Sequence, residues 1–235
     1  MKKLSTFSLA EALKFGFQKT IDNFALILAL LATIIFVYIL RFGGIVLVVG
    51  VHVIQSLVYQ QPHAASLETF NDIFNLKILL GALIAYVIFK LVDGIIAMGV
   101  TKITLDIYDH DASHYARIFS CINLAFQHFF ASLLYICMVS LGLLLFIVPG
   151  IYLAITYAFY QQAMVDKRLG TLASLRYSAQ ITKQVKGELF GFFLVIIFLN
   201  VLASSFFGVG LLITIPIMWL STSYVYRKLQ EDKGL

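Results

Sequence analysis

The chain has 235 residues, of which 61% are hydrophobic and 12% charged, and its mean hydropathy is +0.94. A water-soluble domain of this length is about half apolar and a quarter charged, because its surface must stay hydrated; the composition excludes that class and leaves a protein whose outer surface is lipid. The net charge of +5 comes from Lys and Arg clustered beside apolar blocks, a pattern of topology and headgroup charges and not of nucleic-acid binding.

In chain order, the first expected element is an amphipathic helix over 8–22. Ser8 and Glu11 have capping-box spacing, and Leu9, Leu13, Phe17, Ile21 and Phe24 repeat at four and three with Glu11, Gln18 and Asp22 opposite, the pattern of an interfacial helix. Lys2, Lys3, Lys14 and Lys19 precede the first apolar run and no small-x-small cleavage site follows, so that run is expected to stay in the protein. Apolar blocks then fall at about 24–40, 43–59, 78–100, 129–147, 150–165, 189–207 and 210–226, against the roughly 20 residues that cross a bilayer. Two further amphipathic segments are expected. Over 112–128, Tyr115, Ile118, Ile122, Ala125, Phe126 and Phe129 share a side, and 170–187 is more polar and basic. A short internal echo aligns Leu13 to Thr20 with Leu175 to Thr182.

Charge sets the expected topology. Residues 1–23, the segment 166–187 (Lys167, Arg168, Arg176, Lys183, Lys186) and the tail with Arg227, Lys228 and Lys233 carry the cations and should be cytoplasmic. Working back from the tail, with turns outside at Gly208–Gly210 and at Pro149-Gly150, places 101–128 inside and the loop containing Glu68 and Asp72 outside. An odd number of crossings must precede 78–100, so 24–40 and 43–59 do not both span. The reading is an all-α bundle of six spans (24–40, 78–100, 129–147, 150–165, 189–207, 210–226) with both termini cytoplasmic. The apolar segment 43–59 continues the first helix outward, re-enters or lies on the outer surface. Seven spans with an external N-terminus is the competing arrangement.

Lys90 and Asp93 are the sharpest candidates for a site. Each charge at bilayer centre costs about 2.5–3.5 kcal/mol, and their spacing puts both on one helix face, where they can neutralise each other. The functional reading is an ion-coupled or headgroup site; the other is a self-satisfied pair, with Gly94, Ala97 and Gly99 allowing close packing. Asp106, Asp109, His110, Asp111 and His114 form a second cluster, in which His110, His114 and Asp106 would hold a divalent metal only if the helix continued through 114; Asp111-Ala-Ser reads as a turn instead. His52 and His63 on the external side and His128 at a membrane border read as packing or interfacial residues. Gln161, Gln162 and Thr156, and Asn200, Ser204 and Ser205, are polar positions within later spans, explained by interhelical hydrogen bonds or by a pocket edged by Tyr152, Tyr157 and Tyr160. Cys121 and Cys137 are expected to be free thiols. No zinc helix, phosphate-cradling loop or nucleophile elbow is present, so neither a cofactor nor catalysis is expected.

Val148-Pro149-Gly150-Ile151, an apolar span ending in Val165-Asp166-Lys167, and then Gly170 through Ser174, Arg176 and Ser178 resemble the YciC-like family of bacterial inner-membrane proteins. The pattern is similar also to the membrane domain attached to some glycerophosphodiester phosphodiesterases. Pro149 and Gly150 suit the second and third positions of a tight turn. The resemblance covers about 148–187 and implies six spans and an inner-membrane location, with no established activity; the apolar 43–59 departs from the family's polar external loop. Two functions follow as expectations. One is a non-enzymatic protein that binds lipid, through anionic headgroups at its basic segments, or a membrane-protein partner or second copy. The other is a small solute or ion-coupled transporter using Lys90 and Asp93; an enzyme acting on lipid is a more distant third.

Overall fold

The structure is a computed structural model that describes residues 7–58, 76–110, 113–205 and 208–234, with side chains for all of these except 45, 47–58 and 76–79. The loop expected to be external, with His63, Glu68 and Asp72, lies outside the described residues, as do Asp111 and the side chains of His52 and Lys77. The described chain is all helical, without a strand. Its helices are α1 (Leu9–Asp22), α2 (Phe24–Val58), α3 (Leu76–His110), α4 (Ala125–Leu145), α5 (Ile147–Thr156), α6 (Tyr160–Lys167), α7 (Thr171–Thr182), α8 (Lys186–Ser204) and α9 (Leu211–Lys233). Among the described residues, four segments are long and apolar enough to cross a membrane, Phe24–Gly44, Leu80–His110, Tyr115–Leu145 and Lys186–Ser204, and they mark a membrane protein.

The chain divides into two compact units, Leu31–Asp93 and the chain on either side of it. Most of α2 belongs to the first, and it runs unbroken through Gly43 and Gly44 to Val58, so the block 24–40 and the described part of 43–59 are one helix. Glycine costs a helix about 1 kcal/mol in water, but in hydrocarbon a break would strand backbone N–H and C=O groups, so the helix persists.

In the other unit, α1 packs along α9. A methyl group on Gly16 would lie 2.7 Å from the Ile217 carbonyl and overlap Ser221 Oγ, and Ser221 Oγ donates to the Ala12 carbonyl at 2.9 Å. The buried face of α1 is thus Ala12, Gly16 and Thr20, while Phe17, Ile21 and Phe24 of the apolar stripe are exposed. The expected capping box does not form. Ser8 has the extended backbone of an N-cap but makes no side-chain cap bond, and the Glu11 carboxylate is turned to α9, where it accepts from the Tyr224 hydroxyl at 3.3 Å.

Three other expectations are corrected. In place of one amphipathic helix over 112–128, the described residues before α4 form two short 3₁₀ turns, Tyr115–Phe119 and Ile122–Leu124. Burial follows their tighter period, at Ile118, Cys121 and Leu124, leaving Tyr115, Ile122 and Phe126 of the expected stripe exposed. The reversal assigned to Pro149-Gly150 falls at Phe146, the extended residue between α4 and α5. Pro149 sits in the first turn of α5, where a missing N–H costs nothing. Gly150 lies where a methyl group would come 2.7 Å from the Leu143 backbone nitrogen, and one on Gly142 would come 2.9 Å from Gly150 Cα, so the two glycines let the arms cross backbone to backbone. The block 150–165 is not one helix. It breaks at residues 157–159, and α7 repairs the break: Ser178 Oγ accepts from the Phe159 N–H at 3.1 Å and donates to the Thr156 carbonyl at 3.0 Å, which Thr182 also reaches at 3.1 Å. Side chains inserted into a helix ladder are a recognised cause of such breaks.

The echo between 13–20 and 175–182 gains a physical meaning from this. Ala12, Gly16 and Thr20 match Ser174, Ser178 and Thr182 in register, all six are buried, and both threonines bond back to the fourth residue before them. The last block, 210–226, lies in α9, whose polar residues Ser221, Ser223, Tyr226 and Gln230 face inward. Its low apolarity reflects these inward polar residues and their protein neighbours.

Candidate functional site

Lys90 and Asp93 share a helix, but they do not neutralise each other. Asp93 Oδ2 is 3.3 Å from Arg41 Nη1, with the two side chains 28% and 29% exposed. The Arg41 guanidinium also lies 5.7 Å from the Phe89 ring centre, and Lys90 Nζ lies 5.9 Å from that of Tyr86. The partner that sequence reasoning missed is therefore Arg41. A lone cation between two apolar blocks was the available signal, yet its partner is 52 residues away while Lys90 is local. Arg also suits this place better, since its guanidinium is less strongly hydrated than an ammonium.

Gln161 and Asn200 occupy separate seams. Gln161 Nε2 donates to Thr101 Oγ1 at 2.7 Å, near His128, whose ring stacks 6.0 Å from that of Tyr160; Tyr160 in turn lies 5.3 Å from Tyr135. His128 is 7% exposed, and its Nε2, like Gln162 Oε1, has no hydrogen-bond partner among the described residues. Asn200 joins α8 to α9: its Oδ1 accepts from Thr214 Oγ1 at 2.9 Å, and its Nδ2 donates to the Ile196 carbonyl at 2.9 Å. Such bonds are worth about 0.6–2 kcal/mol and need no substrate.

The acidic cluster is divided among cations. Asp106, almost fully buried, pairs with Lys102 at 2.8 Å, and its Oδ2 lies 3.2 Å from Arg117 Nε, within ion-pair range though not aligned for a hydrogen bond. α3 ends at His110, and His114 precedes the first 3₁₀ turn. Among the described residues, no three His, Cys, Asp or Glu side chains converge as metal ligands. Asp109 goes instead to Arg227, which also holds Asp166 at 2.9 Å. Around Asp166, the Tyr226 hydroxyl donates at 3.0 Å and Gln230 Nε2 at 3.1 Å, and the latter also reaches the Tyr177 hydroxyl at 2.8 Å. Burial acts to lower the Arg227 pKa, but Asp166 and Asp109 outweigh it and hold the guanidinium above its ordinary value. A residue that reads in sequence as a topology charge thus ties α3, α6 and α9 together.

Large hydrophobic side chains are exposed along most of the described helices, and α4, α5 and α8 enclose a partly open groove of about 350 Å³. Tyr135, Ile151, Ala154, Ile155, Ala158, Phe190, Phe193, Leu194 and Ile197 line it. At the Ile151 and Phe190 end, Lys186 Nζ lies 3.4 Å from the centre of the Tyr152 ring, a close cation–π contact. Neither Lys186 nor the groove stands out in the sequence, because the lining residues are ordinary apolar ones drawn from three helices. Cys121 and Cys137 are free, the first buried and the second exposed. No family model, no curated protein and no solved structure matches the chain.

Proposed function

We propose that the protein is a non-enzymatic integral membrane protein that binds membrane lipid, with both termini cytoplasmic. The observation that carries this reading is the α4–α5 hairpin. No polar side chain occurs from Gly142 to Ile151, Leu144 to Val148 are 67–83% exposed, and the arms back an apolar groove shared with α8. A contiguous apolar tip of this kind is unfavourable in water and favourable in hydrocarbon. The polar clusters, by contrast, spend their hydrogen bonds on joining helices.

The basic segments support cytoplasmic termini, and four crossings by α2, α3, α8 and α9 return the chain to its starting side. The six-span alternative adds crossings by α4 and by α5 with α6, which sends the tip through the bilayer. Lys186, read as an inner-surface charge, rests on Tyr152, five residues beyond Ile147. That is about 7.5 Å of helix against roughly 30 Å of hydrocarbon, which favours a hairpin that enters the inner leaflet and returns. The bacterial inner membrane and the YciC-like membership are supported by the charge pattern and the sequence resemblance.

The test is lipid retention. After detergent extraction and exchange, native mass spectrometry of the full chain should find at least one phospholipid bound; a chain that stays folded and lipid-free contradicts the reading. The Arg41–Asp93 pair favours a second reading, transport through a polar site. A stability cycle in lipid nanodiscs with Arg41→Met, Asp93→Leu and the double variant decides it. Damaged singles with a double as stable as wild type leave the charges unneeded for folding and favour transport. A double as damaged as the worse single makes the pair part of the packing and sinks that reading.

A further inference from the structure

We infer that the groove between α4, α5 and α8 takes one acyl chain of an anionic phospholipid, whose phosphate sits on Lys186; the inference rests on the lipid-binding reading above. The body of the groove is apolar, with Ile151, Ile155, Phe190, Leu194 and Ile197 among its lining residues, and its volume is about 350 Å³. Lys186 stands one helical turn before Phe190, a spacing that puts both on the same side of α8. Its ammonium is held 3.4 Å from the centre of the Tyr152 ring, beside the lining residue Ile151. The only acidic residue in this first turn, Glu188, is two positions on and therefore on the other side of the helix. An aromatic ring satisfies one face of an ammonium and leaves its N–H donors available to an anion. At a groove rim partly shielded from water that attraction is stronger than in bulk solvent.

The charge and the cavity together match an amphiphile with an anionic head and a single apolar tail in contact. A neutral zwitterionic lipid satisfies the groove but gains less from Lys186. Lys183, exposed in the turn before α8, provides the control for a general basic surface.

The experiment is native mass spectrometry of the detergent-extracted full chain, offered equal amounts of phosphatidylglycerol and phosphatidylcholine with matched acyl chains. Wild type should retain phosphatidylglycerol in preference by about fivefold, the factor expected of one lysine near a membrane surface. Lys186→Met should bring the ratio near one without changing total lipid bound, Lys186→Arg should restore it, and Lys183→Met should leave it as in wild type. Leu194→Trp, which fills the groove from an exposed lining position, should lose both lipids while its melting temperature stays near that of wild type. An unchanged ratio in Lys186→Met, or undiminished lipid in Leu194→Trp, overturns the site while leaving lipid binding intact. A folded wild-type chain with no lipid at all overturns the broader reading with it.

Discussion

The α8–α9 hairpin reverses through Ser204, Ser205 and Gly208, the last in the left-handed region with φ of 76°, whereas the α4–α5 hairpin reverses at one extended residue, Phe146, between runs of Leu, Ile and Val. The arms are held differently too. Asn200 and Thr214 hydrogen-bond across the first, and Gly142 meets Gly150 backbone to backbone across the second. Near water a turn can leave polar groups to the solvent; in hydrocarbon it cannot. In the α4–α5 turn the Phe146 N–H bonds the Gly142 carbonyl at 3.0 Å, the Gly150 N–H reaches the Phe146 carbonyl at 3.4 Å, and Pro149 has no N–H to satisfy, which leaves the Ile147 and Val148 N–H groups at the start of α5 as the donors without a backbone acceptor. The two hairpins thus differ in turn chemistry and in what joins their arms, a difference that apolar block length does not register.

The comparison is broken most severely at the glycine contact. Gly150→Val should destabilise the protein by about 3 kcal/mol in nanodisc melting, the upper range for overpacking a tight contact, because behind the Leu143 side chain its backbone nitrogen, 2.7 Å from an added methyl group, also stands in the way. A melting temperature like that of wild type would mean that the arms do not cross there. Ser178→Ala should cost about 1–2 kcal/mol, since it leaves the Phe159 N–H without an acceptor. Thr182→Val should cost less, because Ser178 still bonds the Thr156 carbonyl; equal losses would remove the clamp from the account. Asn200→Leu should be smallest, about 0.6 kcal/mol, with the α8–α9 arms still paired by apolar contacts; a loss as large as that of Gly150→Val would reverse the contrast between the hairpins.

Helix content and the membrane class were legible because apolar blocks of spanning length are a strong signal. Their joins were not. Three courses were open for 43–59, and continuation of the first helix is the one α2 follows as far as Val58. Packing faces were also hidden by the usual reading of periodicity. In α1 the apolar stripe marks exposed Phe17 and Ile21, and the protein contact is carried by Ala12, Gly16 and Thr20, since lipid is as apolar as any core and close packing falls to small residues. For the same reason the echo with 175–182 was visible as letters but not as a shared packing face. Ion-pair partners were hidden where they were distant in sequence: Lys90 drew attention away from Arg41, and Arg227 read as a topology charge although it binds Asp109 and Asp166.

The most direct test of the central claim is the depth of the α4–α5 tip. A spin label at Val148→Cys, in a chain whose exposed Cys137 is replaced by Ala, is read in lipid nanodiscs by its collision rates with oxygen and with a water-soluble nickel chelate. Oxygen access should be well above nickel access, at a depth between the bilayer centre and the inner surface. Ready nickel access, with reaction of the same cysteine from the outer side of intact cells, would contradict it and restore two full crossings in place of the hairpin.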